Sequence, residues 1–413
     1  MEKQHPSKDI KNSKSTRLKG KEVILAVTSS AAIYKAIDLA RELMRHGAEI
    51  YTVMSPEASK LISPKLFHWA TGNPVLTELT GEIEHIKWTF NCSNKLILVA
   101  PATANTISKI AMGIADNALL TVVLAGMGRG IPTIIVPAMH LSLWKSPQVV
   151  ENIKKLREIG ITIVEPLVKE GKAKFPSIEE IVEYVFKVFT RQNLRGKRVL
   201  VTGGGTRVYI DKIRFISNPS SGKMGIALAL EAWLRGAETT LIISKDAVKR
   251  TIIPRGINVL TFETYDEAKE LILKEIKYAD IFLHAAAISD FRPDKTFDGK
   301  IESDRSLSLR LIPTEKIIKI ARDINDNALF VAFKAEWNKT NDQLIMAGKE
   351  YLGQGMADIV IVNDVSKGIF GADYTEVILL ARERGCDVIR EMRGLKRDVA
   401  GWILDYIAEK FLE

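Results

Sequence analysis

What most limits the fold of this chain is an alternation. Short apolar runs rich in β-branched residues recur along its length, each followed by a stretch with helical spacing. That pattern belongs to parallel sheets joined by crossover helices. One set comprises KEVILAVT (21–28), AEIYTVMS (48–55), KLILVAPA (95–102), IPTIIVPAM (131–139) and the weaker ITIVEP (161–166). Their nearly unbroken apolar character predicts strands covered on both faces. A helix is expected over 177–189, followed by the polar, aperiodic RQNLRGKR. A second set then begins: RVLVTGG (198–204), AETTLIIS (237–244), INVLTFE (257–263), DIFLHAAAI (280–288), LFVAFKAE (329–336) and DIVIVND (358–364). The sets echo each other, since RELMRHGAEIYTVMS (41–55) resembles LEAWLRGAETTLIIS (230–244) in its helix, Gly-Ala turn and strand. With 413 residues the chain is too long for one ordinary core. The expected architecture is therefore α/β: two tandem doubly wound, mainly parallel-sheet, Rossmann-like domains, with a boundary near 191–196.

Composition narrows the function classes. An apolar fraction of 46% and a charged fraction of 26% describe a globular protein. Lys and Arg outnumber Asp and Glu by 59 to 50, a net charge of +9 that suits nucleic acid or small anionic substrates equally. Part of this excess lies in residues 1–20, which read as a flexible, solvated basic tail without the apolar core of a signal peptide. No apolar run approaches the roughly 20 residues of a membrane span. Cys92 and Cys386 are too few for a disulfide framework. The expectation is a soluble, cytoplasmic protein.

Doubly wound sheets bind ligands beyond the carboxyl ends of their strands. After the first strand, VTSSAAIYK (27–35) lacks the G-x-G-x-x-G of a dinucleotide site. Ser29 and Ser30 instead stand at a helix start, where hydroxyls and free N–H groups suit a phosphate, although plain capping needs the same groups. Ser55 has the same two readings. After the third strand, Thr103, Asn105 and Thr106 crowd a helix start in VAPATANTISK (99–109), more polar groups than a cap requires.

These residues resemble the Pro-Ala-Ser-Ala-Asn-Thr motif of the homo-oligomeric, flavin-containing cysteine decarboxylases, with Thr103 keeping the serine hydroxyl. EHIKW (84–88) resembles the segment carrying that family's active-site histidine, and PAMHLSLW (137–144) its Pro-x-Met-Asn substrate motif. The first domain, 21–190, is thus similar to phosphopantothenoylcysteine decarboxylases, of the flavodoxin-like flavoprotein type. The resemblance implies FMN held by Ser29, Ser30, Ser55, Thr103, Asn105 and Thr106. It also implies oxidation of a substrate thiol to a thioaldehyde, which makes decarboxylation facile. His85 becomes the proton-transfer residue, a role that imidazole chemistry suits, whereas His46, His68 and His284 have no matching motif. Met139 and His140 become substrate contacts, with His140 replacing the family's asparagine. The family's flap cysteine has no counterpart in EPLVKEGKAKFPS (165–177). Lys172 or Lys174, or a water they hold, is the expected proton donor; alternatively, the flap only closes over substrate.

In the second domain, 191–413, VTGGGTR (201–207) and ISNPSSGKMG (216–225) satisfy neither standard nucleotide motif. Arg214, Asn218, Ser221, Gly222 and Lys223 nevertheless gather at a helix start, an arrangement suited to an anion. This stretch resembles the Arg-x-Ile-Ser-Asn-x-x-Ser-Gly-x-x-Gly hallmark of phosphopantothenate-cysteine ligases. That family activates the carboxylate of phosphopantothenate as an acyl-nucleotide, using CTP or ATP, before cysteine displaces the nucleotide. The resemblance places Asn218 on the acyl-nucleotide and makes Lys300 catalytic, with the family's second lysine lost at Glu302 and Ser303. Through AAAISDFRP (285–293), IPTEK (312–316) and VAFKAE (331–336), it implies nucleotide contacts at Ala285, Ala286, Asp290, Pro313, Thr314, Glu315, Lys316 and Phe333. Lys349 is a further candidate, and Asn363–Asp364 resembles the family's Ala-Asn-Asp-Val strand end.

Together these resemblances imply a bifunctional enzyme of coenzyme A biosynthesis: ligation of 4′-phosphopantothenate with cysteine, then decarboxylation to 4′-phosphopantetheine. FMN, Mg²⁺ and CTP or ATP follow from them, as does a homo-oligomer with trimeric decarboxylase and dimeric ligase contacts. Two alternatives are a prenyltransferase-like flavoprotein fused to a ligase, against which EHIKW argues, and a basic nucleic-acid-binding protein. The latter wants clustered Lys/Arg with stacking aromatics, whereas outside the tail basic and acidic residues are mixed and aromatics are only 7%.

Overall fold

The computed structural model describes residues 5–249, 251–302, 306–366, 371–383 and 386–412, with the side chains of 383, 386 and 387 excepted. Ser303 and the Cys386 side chain lie outside the described residues. The chain divides into two compact units, Met1–Thr190 and Arg191–Glu413.

In the first unit the strands are β1 (Glu22–Val27), β2 (Glu49–Met54), β3 (Val75–Leu76), β4 (Lys95–Ala102), β5 (Thr133–Pro137), β6 (Met139–His140), β7 (Thr162–Ile163), β8 (Leu167–Lys169) and β9 (Lys172–Lys174). The main sheet is parallel, in the order β3-β2-β1-β4-β5-β7. All eight residues of β4 are buried, as expected of a central strand covered on both faces. The helix Ile178–Phe189 begins where Ser177 accepts the Glu180 N–H, with Glu179 and Glu180 in its first turn.

Residues 5–20 are not a solvated tail. A short turn of helix spans Pro6–Ile10, Lys8 and Lys11 bind the two oxygens of Glu49 at 2.7 and 2.6 Å, and Leu18 is fully buried. Composition hid this docking because its lysines are matched by acids far away in sequence. Residues 1–4 lie outside the described residues.

The second unit contains β10 (Arg198–Gly203), β11 (Arg207–Tyr209), β12 (Phe215–Ser217), β13 (Glu238–Ser244), β14 (Asn258–Phe262), β15 (Ile281–His284), β16 (Phe291–Pro293), β17 (Leu311–Pro313), β18 (Leu329–Glu336), β19 (Ile359–Asp364), β20 (Tyr374–Glu383) and β21 (Cys386–Leu395). Its eight-stranded sheet runs β14-β13-β10-β15-β18-β19-β20-β21, parallel up to β19 and antiparallel thereafter. Both main sheets therefore reverse order beside their first strand, between β1 and β4 and between β10 and β15. The β20–β21 hairpin and the small pairs β11–β12 and β16–β17 escape the strand pattern, since their sequences mix charge with apolar residues.

The helix Lys223–Leu234 is buried from Gly225 to Leu234 without a break. Its start approaches the sheet so closely that a Cβ on Gly225 would meet the Gly203 Cα at 2.7 Å. Glu231 and Arg235 are buried charges, tied to each other and to Arg397 and Asp405 of the helix Lys396–Phe411. Buried charges persist only when paired in this way.

Candidate functional sites

The first site forms where β1, β2, β4 and β5 end side by side. Val27 pairs with Met54, Ala26 with Val99 and Ala102 with Pro137, so the following loops bring Ser29, Ser30, Ser55, Thr103 and Met139 to one rim. Thr28 ties this rim together: its hydroxyl donates to the Pro101 carbonyl at 2.7 Å and accepts the Thr103 N–H at 3.1 Å. Ser30 donates to the Ala138 carbonyl at 3.1 Å. Ser30, Ser55 and Thr103 also cap their own helix starts, accepting from the N–H groups of Ala32, Ala58 and Thr106. The Thr103 and Thr106 hydroxyls lie 3.1 Å apart, while Asn105 is exposed on the first turn. Hydroxyls and N-terminal N–H groups converging on one rim are chemically suited to a phosphate.

His85 stands on the short helix Glu84–Thr89, in the connection from β3 to β4. Nearby Trp88 packs 5.8 Å from Tyr51 of β2. Nδ1 of His85 is buried with no hydrogen-bond partner among the described residues. Such an orphaned atom is costly unless something else completes it, by about 1–3 kcal/mol. No hydrogen bond joins His85 to the rim hydroxyls among the described residues.

The proposed substrate segment and the flap are adjacent. β6 pairs antiparallel with β9, setting His140 opposite Lys172 and Met139 opposite Ala173. β8 and β9 form a hairpin whose two turn residues, Glu170 and Gly171, have φ of 54° and 66°. Two positive φ values in a two-residue loop match the right-handed twist of the strands. His140 and Lys172 are exposed, whereas Lys174 pairs with Glu170 at 2.5 Å.

The second unit holds a cavity of about 830 Å³ at the point where its sheet reverses order. Asn218, Ser221, Gly222, Lys223, Ala285, Ala286, Asp290, Thr314, Glu315, Lys316 and Phe333 all line it. Gly222, at φ 74°, precedes the helix Lys223–Leu234 and offers no side-chain cap. The first-turn N–H groups therefore have no side-chain acceptor, which is the condition for an anion site. Lys223 donates to the Gly371 carbonyl at 2.7 Å and to Asp373 at 2.6 Å. Lys316 pairs with Asp290, and Thr314 donates to the Ser289 carbonyl at 2.6 Å. The Asn218 amide makes long contacts to the Ala287 and Ile288 carbonyls, 3.5 and 3.4 Å.

Four expected residues do not line this cavity. Arg214 donates to Asp211 at 2.7 Å and to the Ile301 carbonyl at 3.0 Å. Asp211 in turn accepts the N–H groups of Arg214, Ile213 and Ile301, and these backbone bonds, led by that of Arg214, hold its carboxyl down at about 2. Arg214 thereby fastens the segment next to Lys300, which is exposed. Pro313 ends β17, and Lys349 is exposed on the helix Asn341–Gly353. Conversely, His284, Lys334, Arg393 and Lys396 line the cavity without having been singled out as contacts. For His284 the only available signal was its place directly before Ala285; Arg393 and Lys396 belong to the unrecognised final hairpin and the helix after it.

Residues 11–190 match the family model described as Flavoprotein, and residues 194–411 match that of the DNA/pantothenate metabolism flavoprotein C-terminal domain. The coenzyme A biosynthesis bifunctional protein CoaBC of Thermococcus kodakarensis is 46% identical over 99% of this chain and 100% of its own. That of Methanocaldococcus jannaschii is 38% identical over 98% of this chain and 97% of its own. A crystal structure of the C-terminal domain of a coenzyme A biosynthesis bifunctional protein CoaBC covers 53% of this chain and 97% of its own, at 28% identity and a TM-score of 0.43. The chain belongs to the family of coenzyme A biosynthesis bifunctional proteins, enzymes that join a flavoprotein decarboxylase unit to a ligase unit.

Proposed function

We propose that the second unit condenses 4′-phosphopantothenate with cysteine through an acyl-nucleotide, and that the first unit decarboxylates the product to 4′-phosphopantetheine. The observation that carries this reading is the cavity of about 830 Å³, which gathers residues from five separate loops around an uncapped helix start. Ser221, the N–H groups after Gly222 and Lys223 hold the substrate phosphate, Lys223 exchanging its Asp373 partner for it. Lys316 and Thr314 face the nucleotide, with Asp290 orienting Lys316. Asn218 steadies the acyl group, and Lys300, exposed outside the cavity wall in this structure, reaches in to offset charge developing on the α-phosphate oxygens. CTP or ATP is the nucleotide. Mg²⁺ would accompany the triphosphate.

In the first unit, Ser29, Ser30, Ser55, Thr103, Asn105 and Thr106 would hold FMN. Bound FMN supplies the electron sink that makes loss of CO₂ facile. His85 moves the proton, using a nitrogen that lacks a partner among the described residues. His140 grips the substrate carboxylate beside Lys172, its cross-strand neighbour, and Lys172 or Lys174 replaces the missing flap cysteine as proton donor. We further propose a cytoplasmic homo-oligomer, with trimeric contacts by the first unit and dimeric contacts by the second. No helix of the described residues is long and apolar enough to cross a membrane.

The test is pyrophosphate release by the purified chain with 4′-phosphopantothenate, cysteine and MgCTP or MgATP, alongside its flavin absorbance. Release that requires both acid and nucleotide, from a yellow protein, is expected. A colourless protein that refuses FMN and releases nothing contradicts the reading.

A further inference from the structure

β15 ends at His284, at the point where the second sheet reverses its order. Thr202 of β10 is its direct partner across the strand pair, so both side chains leave the same face. His284 Nδ1 lies 3.0 Å from Thr202 Oγ1, and that oxygen also accepts the Ala286 N–H at 3.1 Å. Thr202 is completely buried. Among the described residues its hydroxyl hydrogen has one acceptor within reach, the histidine nitrogen.

This arrangement fixes a proton. If Thr202 donates to Nδ1, Nδ1 is the acceptor of a neutral imidazole and the ring hydrogen sits on Nε2. Burial favours the neutral ring and pushes its pKa down to about 4. The ring is steadied from below by Phe282, 5.1 Å away, which stacks edge-on against Phe330 at 5.3 Å. Nε2 has no partner among the described residues, and the half-buried ring forms part of the cavity wall with Lys223 and Lys396. A neutral donor on a rigid support favours an acceptor oxygen without reorganising when charge develops there.

We propose that His284 contacts the ligand of this cavity, its Nε2–H donating to a phosphoryl or acyl oxygen of the mixed anhydride, and that Thr202 is the positioning residue that sets the tautomer. The idea rests on the ligase reading above and adds a contact to it.

The experiment compares His284→Gln with His284→Asn in the full-length chain. A glutamine amide reaches the place of Nε2, whereas an asparagine amide reaches only that of Nδ1. His284→Gln should keep kcat/KM for pyrophosphate release within about threefold, and His284→Asn should lose about 10- to 100-fold, the effect of one hydrogen bond to a charged acceptor. Thr202→Ser should match the parent, and Thr202→Val should resemble His284→Asn. CO₂ release from added phosphopantothenoylcysteine should be the same in all four variants. Nitrogen-15 NMR of the unmutated protein supplies a readout that no folding defect disturbs: the Nε2–H tautomer is expected, with its signal shifting when nucleotide and phosphopantothenate are added. An Nδ1–H tautomer, equal turnover in His284→Asn and the parent, or equal losses in the asparagine and glutamine variants each overturns the His284 assignment while leaving the ligase reading intact. Absence of any pyrophosphate from the unmutated protein overturns the ligase reading, and the anhydride contact with it.

Discussion

At the scale of single residues, the two units place their chemistry differently. His85 offers a buried nitrogen without a partner among the described residues, whereas Lys223 is engaged, with Asp373 and the Gly371 carbonyl standing where an anion would. Two substitutions separate these roles. His85→Asn should lower CO₂ release about 10²- to 10⁴-fold, the span of general acid–base assistance, while bound flavin absorbance stays unchanged; loss of the flavin instead would make His85 a cofactor ligand. Lys223→Met should raise KM for phosphopantothenate about 10- to 100-fold, because a charge-assisted bond to phosphate is lost. Steady-state kinetics check this, and an effect confined to kcat would move Lys223 from binding to chemistry. The sequence showed both residues through the motifs around them. It did not show Asp211 and Arg214 as a clamp, because the Ile301 backbone they grip lies far along the chain.

At the scale of elements, parallel strands were the most legible part of the chain. β18 coincides with the apolar run read at 329–336, and the helix Ile178–Phe189 with that expected at 177–189. Burial on both faces writes such strands as unbroken apolar runs. The antiparallel β20–β21 hairpin and the docked N-terminal segment were not legible, since charge dominates both. The docking is a matter of distant partners. Burial alone would raise the Glu49 carboxyl, but hydrogen bonds from Lys11, Lys8 and Asn73 bring it down from 4.5 to about 2. A depressed carboxylate contributes stability that is full above its ordinary pKa and is lost as pH falls towards the depressed value. Residues 5–20 should therefore resist proteolysis above about pH 5 and become cleavable between about 4.5 and 2. Leu18→Ala should destabilise the first unit by about 2–5 kcal/mol, the cost of a leucine-sized cavity, read as a lower midpoint in thermal unfolding. The β8–β9 turn gives a second case. Gly171, at φ 66°, occupies a conformation that a β-branched side chain resists. Gly171→Val should displace Lys172 from its place opposite His140, lowering CO₂ release with little change in pyrophosphate release.

At the scale of the whole molecule, both units order their six parallel strands alike, the second adding two antiparallel strands, and the loops beyond the carboxyl ends of the strands carry most of the candidate groups. That explains how two unrelated reactions fit one architecture: the sheet supplies the location, and the loops supply the chemistry. The chain adds cysteine to a phosphorylated acid and then removes a carboxyl group from the product. Mass spectrometry of the small molecules tests it most directly, after incubation of the flavin-loaded protein with 4′-phosphopantothenate, cysteine and MgCTP or MgATP. The expected product has the combined mass of the acid and cysteine less one water and one CO₂. Recovery of the acid unchanged with either nucleotide would overturn this reaction sequence.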